Sequence, residues 1–427
     1  MIDFNDVIPT ARRVVETTIK GAGPTSATLI RDLKGRIALF LEFKEEPEAA
    51  LESSLKAALD TALECFWRGK LWLEWPKASE ITKTFGVTVR RERQKFGTSS
   101  GATPFDWHLI DRTYSKRGWL DSRPLPWPNI PGKTPAIVSF YSYKGGVGRS
   151  TALAAVSMIL SSAGKKVVVV DLDLEAPGVF TLLGPKSDID VGVVDYLIHK
   201  ALDDSSFRID LCAKVITDKV IIGESGQALV AIPAGRIDDG YIDKIARIDM
   251  NSYADDATDR LRAMLSEIRT VYAPDFILLD VRAGMHDIGG LSLNALSHMN
   301  ILFCLDTPQA WNGLYPILGR LARIKKDREI LLVHAMATPS RLDSGAHERF
   351  RSNSYSAFQQ HYFEEGEEMP DIGDESAPYG VHIPIQDALM NITTFEGSDL
   401  RKSIMDSGSP FRLLVEKIGE RLERPTI

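Results

Sequence analysis

The residues best suited to chemistry lie in one run, Tyr143-Lys144-Gly145-Gly146-Val147-Gly148-Arg149-Ser150-Thr151. Its glycines let a backbone take left-handed torsions and approach a ligand closely. Successive amides in such a loop, ahead of a helix N-terminus, form a cradle for an anion. A hydroxyl opening the helix, as at Ser150, can ligate a divalent cation. The general phosphate-loop pattern GxxxxGK[ST] is not met, because Tyr143 stands at the first glycine and Arg149 at the lysine. Two acidic sites follow. Asp171-Leu172-Asp173-Leu174-Glu175-Ala176-Pro177-Gly178 comes after an apolar run, and Asp280 closes another. An acid at the end of such a strand is placed to hold a metal-bound water. Arg282, two residues on, reads either as a phosphate sensor or as an ion-pair partner of Asp280 or Asp287.

Elements must bring these residues together. AIVSFYSY (136–143) runs into the loop, and the helical pattern TALAAVSMILSSAG runs out of it. KVVVVDL (166–172), ALVAIPA (228–234), FILLD (276–280), NILFCLD (300–306) and EILLVHA (329–335) are further short apolar runs, most of them separated by helical patterns. Near-continuous apolar strands alternating with helices predict an α/β fold with a doubly wound, mostly parallel sheet. Ligands of such sheets bind at the carboxyl ends of the strands. The loop, Asp171, Asp173 and Asp280 all fall there.

Before residue 134 the character changes. ARRVVETTI and PEAALESSLKAALDTALECFW (47–67) read as helices, and RIALFLEF (36–43) and KLWLEW (70–75) as strands. They predict a smaller α+β domain over residues 1–133. It ends in DSRPLPWPNIPGKTP (121–135), whose five prolines predict a linker or extended strap. Residues 134–427 form the second domain. Charge follows the split: residues 1–134 hold 21 Lys and Arg against 17 Asp and Glu, and the remainder 30 against 41. Six of the seven tryptophans precede residue 130. Excess acid argues against a strong nucleic-acid role for the second domain. The basic runs at Arg90, Arg91, Arg93 and Lys95, and at Arg323, Lys325, Lys326 and Arg328, have the charge to touch a phosphate backbone but read first as solvated faces.

The whole chain, 427 residues with net charge −7, 44% hydrophobic and 26% charged, has globular composition. No apolar run approaches the roughly 18–20 residues of a membrane helix. The N-terminal MIDFNDVIPTARR has no apolar signal core. Cys65, Cys212 and Cys304 are far apart with no CxxC spacing, so neither a disulfide framework nor a zinc site is expected, and the cytoplasm is the expected location.

In this strand–loop–helix context, KGG-VG-R-ST resembles the deviant phosphate loop xKGGxxK[ST] of the ParA/MinD superfamily, a group of dimerising P-loop ATPases. DLDLEAPG and Asp280 resemble its DxD segment and its second acidic strand end. The resemblance covers most of residues 134–400. YSYKGGVGRS with VVVVDLDLEAPG is closer still to a KGGVGR-type subgroup, which recurs in bacterial multidomain signalling and conflict proteins. ATP and Mg²⁺ are the implied cofactors. Gly145, Gly146, Val147, Gly148, Arg149 and Ser150 are implied to donate amides to the phosphates, and Thr151 to contact the α-phosphate. Ser150 is implied to ligate Mg²⁺, supported by Asp171 and Asp280, while Asp173 orients the attacking water. Lys144 is implied to reach the partner's nucleotide across a homodimer that sandwiches ATP. Arg149 takes the role of the loop lysine. Asp306-Thr307-Pro308-Gln309 and His382-Ile383-Pro384-Ile385 lie where the family has strand-end loops near the base, so Pro384 joins the nucleotide contacts. The implied function is an ATP-dependent dimerisation switch that controls a partner or effector protein, in a bacterial signalling or antiphage setting. Two alternatives stand beside it: a ParA-type ATPase positioning DNA or cargo, and a non-hydrolysing sensor or scaffold motivated by Arg149 and Arg282. A bacterial tyrosine kinase shares this core, but residues 401–427 contain no tyrosine. The terminal PFRLLVEKIGERLE sits where MinD carries a membrane tether, yet Phe411, Leu414, Ile418 and Leu422 fall at core-packing spacing.

Overall fold

The computed structural model describes residues 2–426 apart from 20–22, 100–103, 114, 122, 185–188, 203–205, 225, 249–256, 340–341, 375–376, 387–388 and 390–397. The chain divides into two compact units, Met1–Tyr114 and Ser115–Ile427.

In the first unit, strands β1 (Ser26–Arg31), β2 (Ile37–Glu42), β3 (Trp67–Glu74), β4 (Gln94–Thr98) and β5 (Asp106–Asp111) form one mixed sheet in the order β3-β2-β1-β5-β4. The central strands β1 and β2 are buried almost throughout, so both faces must be covered. Helices α1 (Val7–Thr18) and α2 (Ala49–Leu63) cover one face through Val7, Ala11 and Val15 and through Leu55, Leu59 and Leu63, spaced to lie on one helical stripe. Helix α3 (Glu80–Glu92) covers the other through Val89, packed with Ile30, Phe40 and Ile110. Strands β1, β4 and β5 and helix α3 are additions to the sequence reading. The first basic run is matched internally: Arg90 bonds Glu42 and Glu74 at 2.9 and 2.5 Å, Arg93 bonds Glu42, and Lys95 pairs with Asp106 at 3.0 Å. Trp67 and Trp107 are core residues.

The second unit is built on an eight-stranded sheet. Its strands are β6 (Ala136–Ser142), β7 (Val167–Leu172), β8 (Lys214–Ile216), β9 (Leu229–Ile232), β10 (Phe276–Val281), β11 (Met299–Cys304), β12 (Glu329–Ala337) and β13 (Tyr379–Pro384), in the order β13-β12-β11-β6-β10-β7-β9-β8. Every pairing is parallel except β8 with β9. Hydrophobic layers lie on both faces, as the apolar strand runs demand. Pairing of β10 with both β6 and β7 sets Asp280 beside Asp171. Adjacent strands are only ~4.8 Å apart, so these two acids are neighbours. The loop after β6 leads into α5 (Arg149–Ser162), which is buried from Ala152 through Ser161. The helix Pro410–Arg421, which packs beside α5, lays Phe411, Leu414 and Ile418 into the same layer, so the apolar face of that helix is occupied.

The proline-rich segment is a strap packed on the second unit, and the boundary between units falls ahead of it, before Ser115. Helix α4 (Arg117–Leu120) opens it. Prolines supply carbonyls but no amide donors. Arginines answer them: Arg262 donates to the carbonyls of Pro124 and Leu125, Arg320 to Asp121, and Arg328 to Arg123. One member of the second basic run, Arg328, is thus a structural donor. Trp127 and Trp119 sit in the hydrophobic core, and His298 accepts from the amide of Ile137 and faces the Trp127 carbonyl at 2.8 Å. Ser122 lies outside the described residues.

Among the described residues, no helix is long and apolar enough to cross a membrane. All three cysteines are free, Cys65 exposed and the others buried.

Candidate functional site

The loop after β6 turns on Gly146 and Gly148, at φ +72° and +80°, where a side chain would be strained. A Cβ added at Gly145, Gly146 or Gly148 would meet nothing within 4 Å, so the backbone faces open space. That space is a cavity of about 560 Å³. Residues 145–151 line it together with Asp173 and Ala283, and Phe303, Met336, Ile383 and Pro384 give it an apolar end. Val147 is at the same time a member of the hydrophobic core beneath the loop. Pro384 thus lines the same cavity as Gly145 and Thr151. His382 and Ile383, read as a strand-end loop, are the last part of β13, and Ile385 follows the strand.

Behind the loop sits a buried charge cluster. Arg149 is 8% exposed. Its Nε donates to Asp280 Oδ1 at 2.7 Å, and its Nη2 to Asp173 Oδ2 at 3.0 Å. The cation expected to meet phosphates is therefore held by two acids. Arginine can do this because its fork presents donors in two directions. Burial lowers the Arg149 pKa, but Asp280 and Asp173 outweigh it and raise it. Burial is also the largest influence on Asp280, raising its pKa against the opposing pull of Arg149 and of the nearby Ser150 hydroxyl. Asp280 Oδ2 is buried and has no hydrogen-bond partner.

Asp171, expected to support the metal, is engaged by the backbone. It is fully buried, and both its oxygens accept backbone amides, from Asp173 at 3.1 Å and from Gly178 at 3.1 Å. It shapes the turn that presents Asp173. Burial, then the charge of Asp280, raise its pKa well above the ordinary carboxylate value.

Arg282 pairs with neither Asp280 nor Asp287. Its Nη1 lies 3.5 Å from Asp173 Oδ1, and its Nη2 2.9 Å from Glu175 Oε2. His286 Nδ1 lies 3.4 Å from the other Glu175 oxygen. Charges thus alternate from Asp280 through Arg149, Asp173 and Arg282 to Glu175. Glu175 and His286 had no role in the sequence reading, although Glu175 stood inside the quoted acidic segment. Lys144 donates to Gln309 of the same chain; Pro308 and Gln309, read as part of a strand-end loop, open the helix Pro308–Ala322. Tyr143 occupies the place of the missing glycine, and its ring lies against Gly313 of the helix Pro308–Ala322. A Cβ there would come within 2.1 Å of the ring.

Residues 135–333 match the family model of an AAA domain. The chloroplastic MinD homologue of Arabidopsis thaliana is 32% identical over 110 residues, which is 24% of this chain and 34% of that protein. The septum site-determining protein MinD of Helicobacter pylori is 27% identical over 173 residues, 40% of this chain and 53% of that protein. The chain thus spans about a third to a half of the length of these curated relatives. Among solved structures, the MinD cell division protein of Aquifex aeolicus is 15% identical with a TM-score of 0.43, covering 68% of this chain and 98% of that one. The glycine loop and the acids at the ends of β7 and β10 thus fall in the part of the chain that matches the AAA-domain model, and over that part the chain is similar to MinD proteins.

Proposed function

We propose that the second unit is an ATP·Mg²⁺-dependent dimerisation switch, hydrolysing slowly, that regulates a protein partner. The KGGVGR-type loop associates it with bacterial signalling or defence. The observation that carries this reading is the open cradle of residues 145–151, with an orphaned carboxylate oxygen of Asp280 behind it. A Mg²⁺ polyphosphate fits this donor set. Magnesium is usually held by one or two carboxylates together with substrate phosphates, not by a full protein cage. Ser150 and Asp280 are the residues we assign to the cation, with Asp171 supporting them through the turn. Bound Mg²⁺ supplies charge neutralisation at the transferred phosphoryl group. Loop amides bind the phosphates, Thr151 the α-phosphate, and Pro384 and the apolar end enclose the base. Asp173 orients the water once Arg149 and Arg282 turn from it toward phosphate. Lys144, released from Gln309, is the residue we assign to the partner protomer's nucleotide.

The test is ATP binding and turnover combined with light scattering. With Mg²⁺-ATP the protein should become a dimer, and Lys144→Ala should stay monomeric while keeping most of its ATP affinity. A K144A variant that still dimerises on ATP would remove the sandwich-dimer reading. One observation favours a second reading: Arg149 is locked to Asp280 and Asp173. If that lock survives ATP binding, the unit is a nucleotide sensor. It would then bind ATP tightly with no turnover.

A further inference from the structure

The loop that follows Asp280 is fastened at two ends. At one end Arg282 joins Asp173 and Glu175. At the other, the His286 carbonyl accepts the Trp119 indole N–H at 2.7 Å. Between them the Gly284 carbonyl accepts from the Tyr141 hydroxyl at 3.0 Å, and the Tyr141 ring meets Trp119 edge-on at 5.9 Å.

Helix α4, which carries Trp119, lies in backbone contact with the short helix Asp287–Leu291 that continues this loop. A Cβ on Gly118 would come within 2.1 Å of the Asp287 carbonyl oxygen, and one on Gly290 within 2.5 Å of Trp119. Asn294 Nδ2 ties the carbonyls of Gly118 and Trp119 at 3.2 and 2.8 Å. Such packing leaves no slack, so displacement on one side is passed to the other. Helix α4 begins three residues after the first unit ends.

We propose that Trp119 is a positioning residue for the phosphate site, and that the Arg282–Glu175–His286 loop passes the nucleotide state to helix α4, where the chain leaves the first unit. This rests on the nucleotide reading above. Polyphosphate beside Arg149 and Asp173 competes for the charges that hold Arg282. Once Arg282 turns, Glu175 loses the cation that holds it beside His286, and the carbonyl that anchors Trp119 moves. The linkage is reciprocal: whatever displaces α4 alters the site.

Fluorotryptophan labelling of the full chain, read by fluorine NMR, tests this, with the Trp119 resonance assigned by Trp119→Phe. Nucleotide occupancy is measured separately with a fluorescent ATP analogue. The Trp119 line should shift by more than its width on Mg²⁺-ATP, and the Trp127 line should stay. Glu175→Gln should still bind nucleotide but lose the shift. Gly290→Ala should lower kcat, on the order of a hundredfold, with KM nearly unchanged. Bound nucleotide with an unmoved Trp119 line overturns the proposal while leaving the function standing. So does a full shift in E175Q. Absence of nucleotide binding overturns both.

Discussion

Arginine at position 149 changes what the loop cation can do. A lysine there carries one compact charge, whereas the guanidinium reaches Asp280 and Asp173 together. Arg149→Lys should therefore keep one contact and lose the other, at about 1–3 kcal/mol in chemical denaturation. It should also raise ATP turnover, since a single-point cation is more easily drawn to phosphate. Arg149→Ala should cost more, about 3–5 kcal/mol, because two buried acids lose their counter-charge. Spacing alone identified most of the residues around this cavity, since glycines before a helix and acids at strand ends follow local rules. The partners of Arg149 and Arg282 were not readable. Asp280 is 131 residues from Arg149, and which acid each arginine takes depends on rotamers set by the folded sheet.

Among elements, the strands around the site were the easiest to read, because strands buried on both faces need unbroken apolar runs. Strand β13 was harder: burial alternates along Tyr379–Pro384, and its sequence is less apolar. In the first unit, β4 is an exposed edge, so burial imposed no pattern on it. Tyr143 and Gly313 offer an element-level test. The helix Pro308–Ala322 has glycine where the Tyr143 ring presses against it. Gly313→Ala should destabilise by about 1–3 kcal/mol, as overpacking does. It should also weaken nucleotide binding, because relief of the clash shifts Tyr143 at the root of the loop. Calorimetry with and without ATP checks both effects. Unchanged melting would mean that the helix moves aside freely.

At the scale of the molecule, two buried histidines and a half-buried third set the acid limit. Burial holds His298 and His334 at about 4 and His382 at about 3, below the usual 6.5. A histidine whose folded pKa is depressed binds protons more readily when unfolded. Stability is therefore complete above about pH 6.5 and falls as pH drops toward 4. His298 alone accounts for up to about 3 kcal/mol of that loss. Denaturation midpoints measured from pH 7 to 4.5 should decline steadily, and His298→Asn should flatten the slope. Charge and tryptophan set two regions apart in the sequence. They do not say whether the strap is docked, because a proline-rich segment looks the same whether it hangs free or lies packed. Only the arginines and His298 that satisfy its carbonyls decide between the two.

Those partners have a consequence for the order of events during synthesis. The strap's fastenings to the second unit include donors 137 to 295 residues further along the chain, from Arg262 to Arg424. Contacts of such long range form late, and chains fold from the N-terminal end as they emerge. The first unit can therefore be complete while the strap still waits, its carbonyls in water. Final seating of the strap then reports that the last helix has arrived, and so acts as a closing latch on assembly of the nucleotide unit.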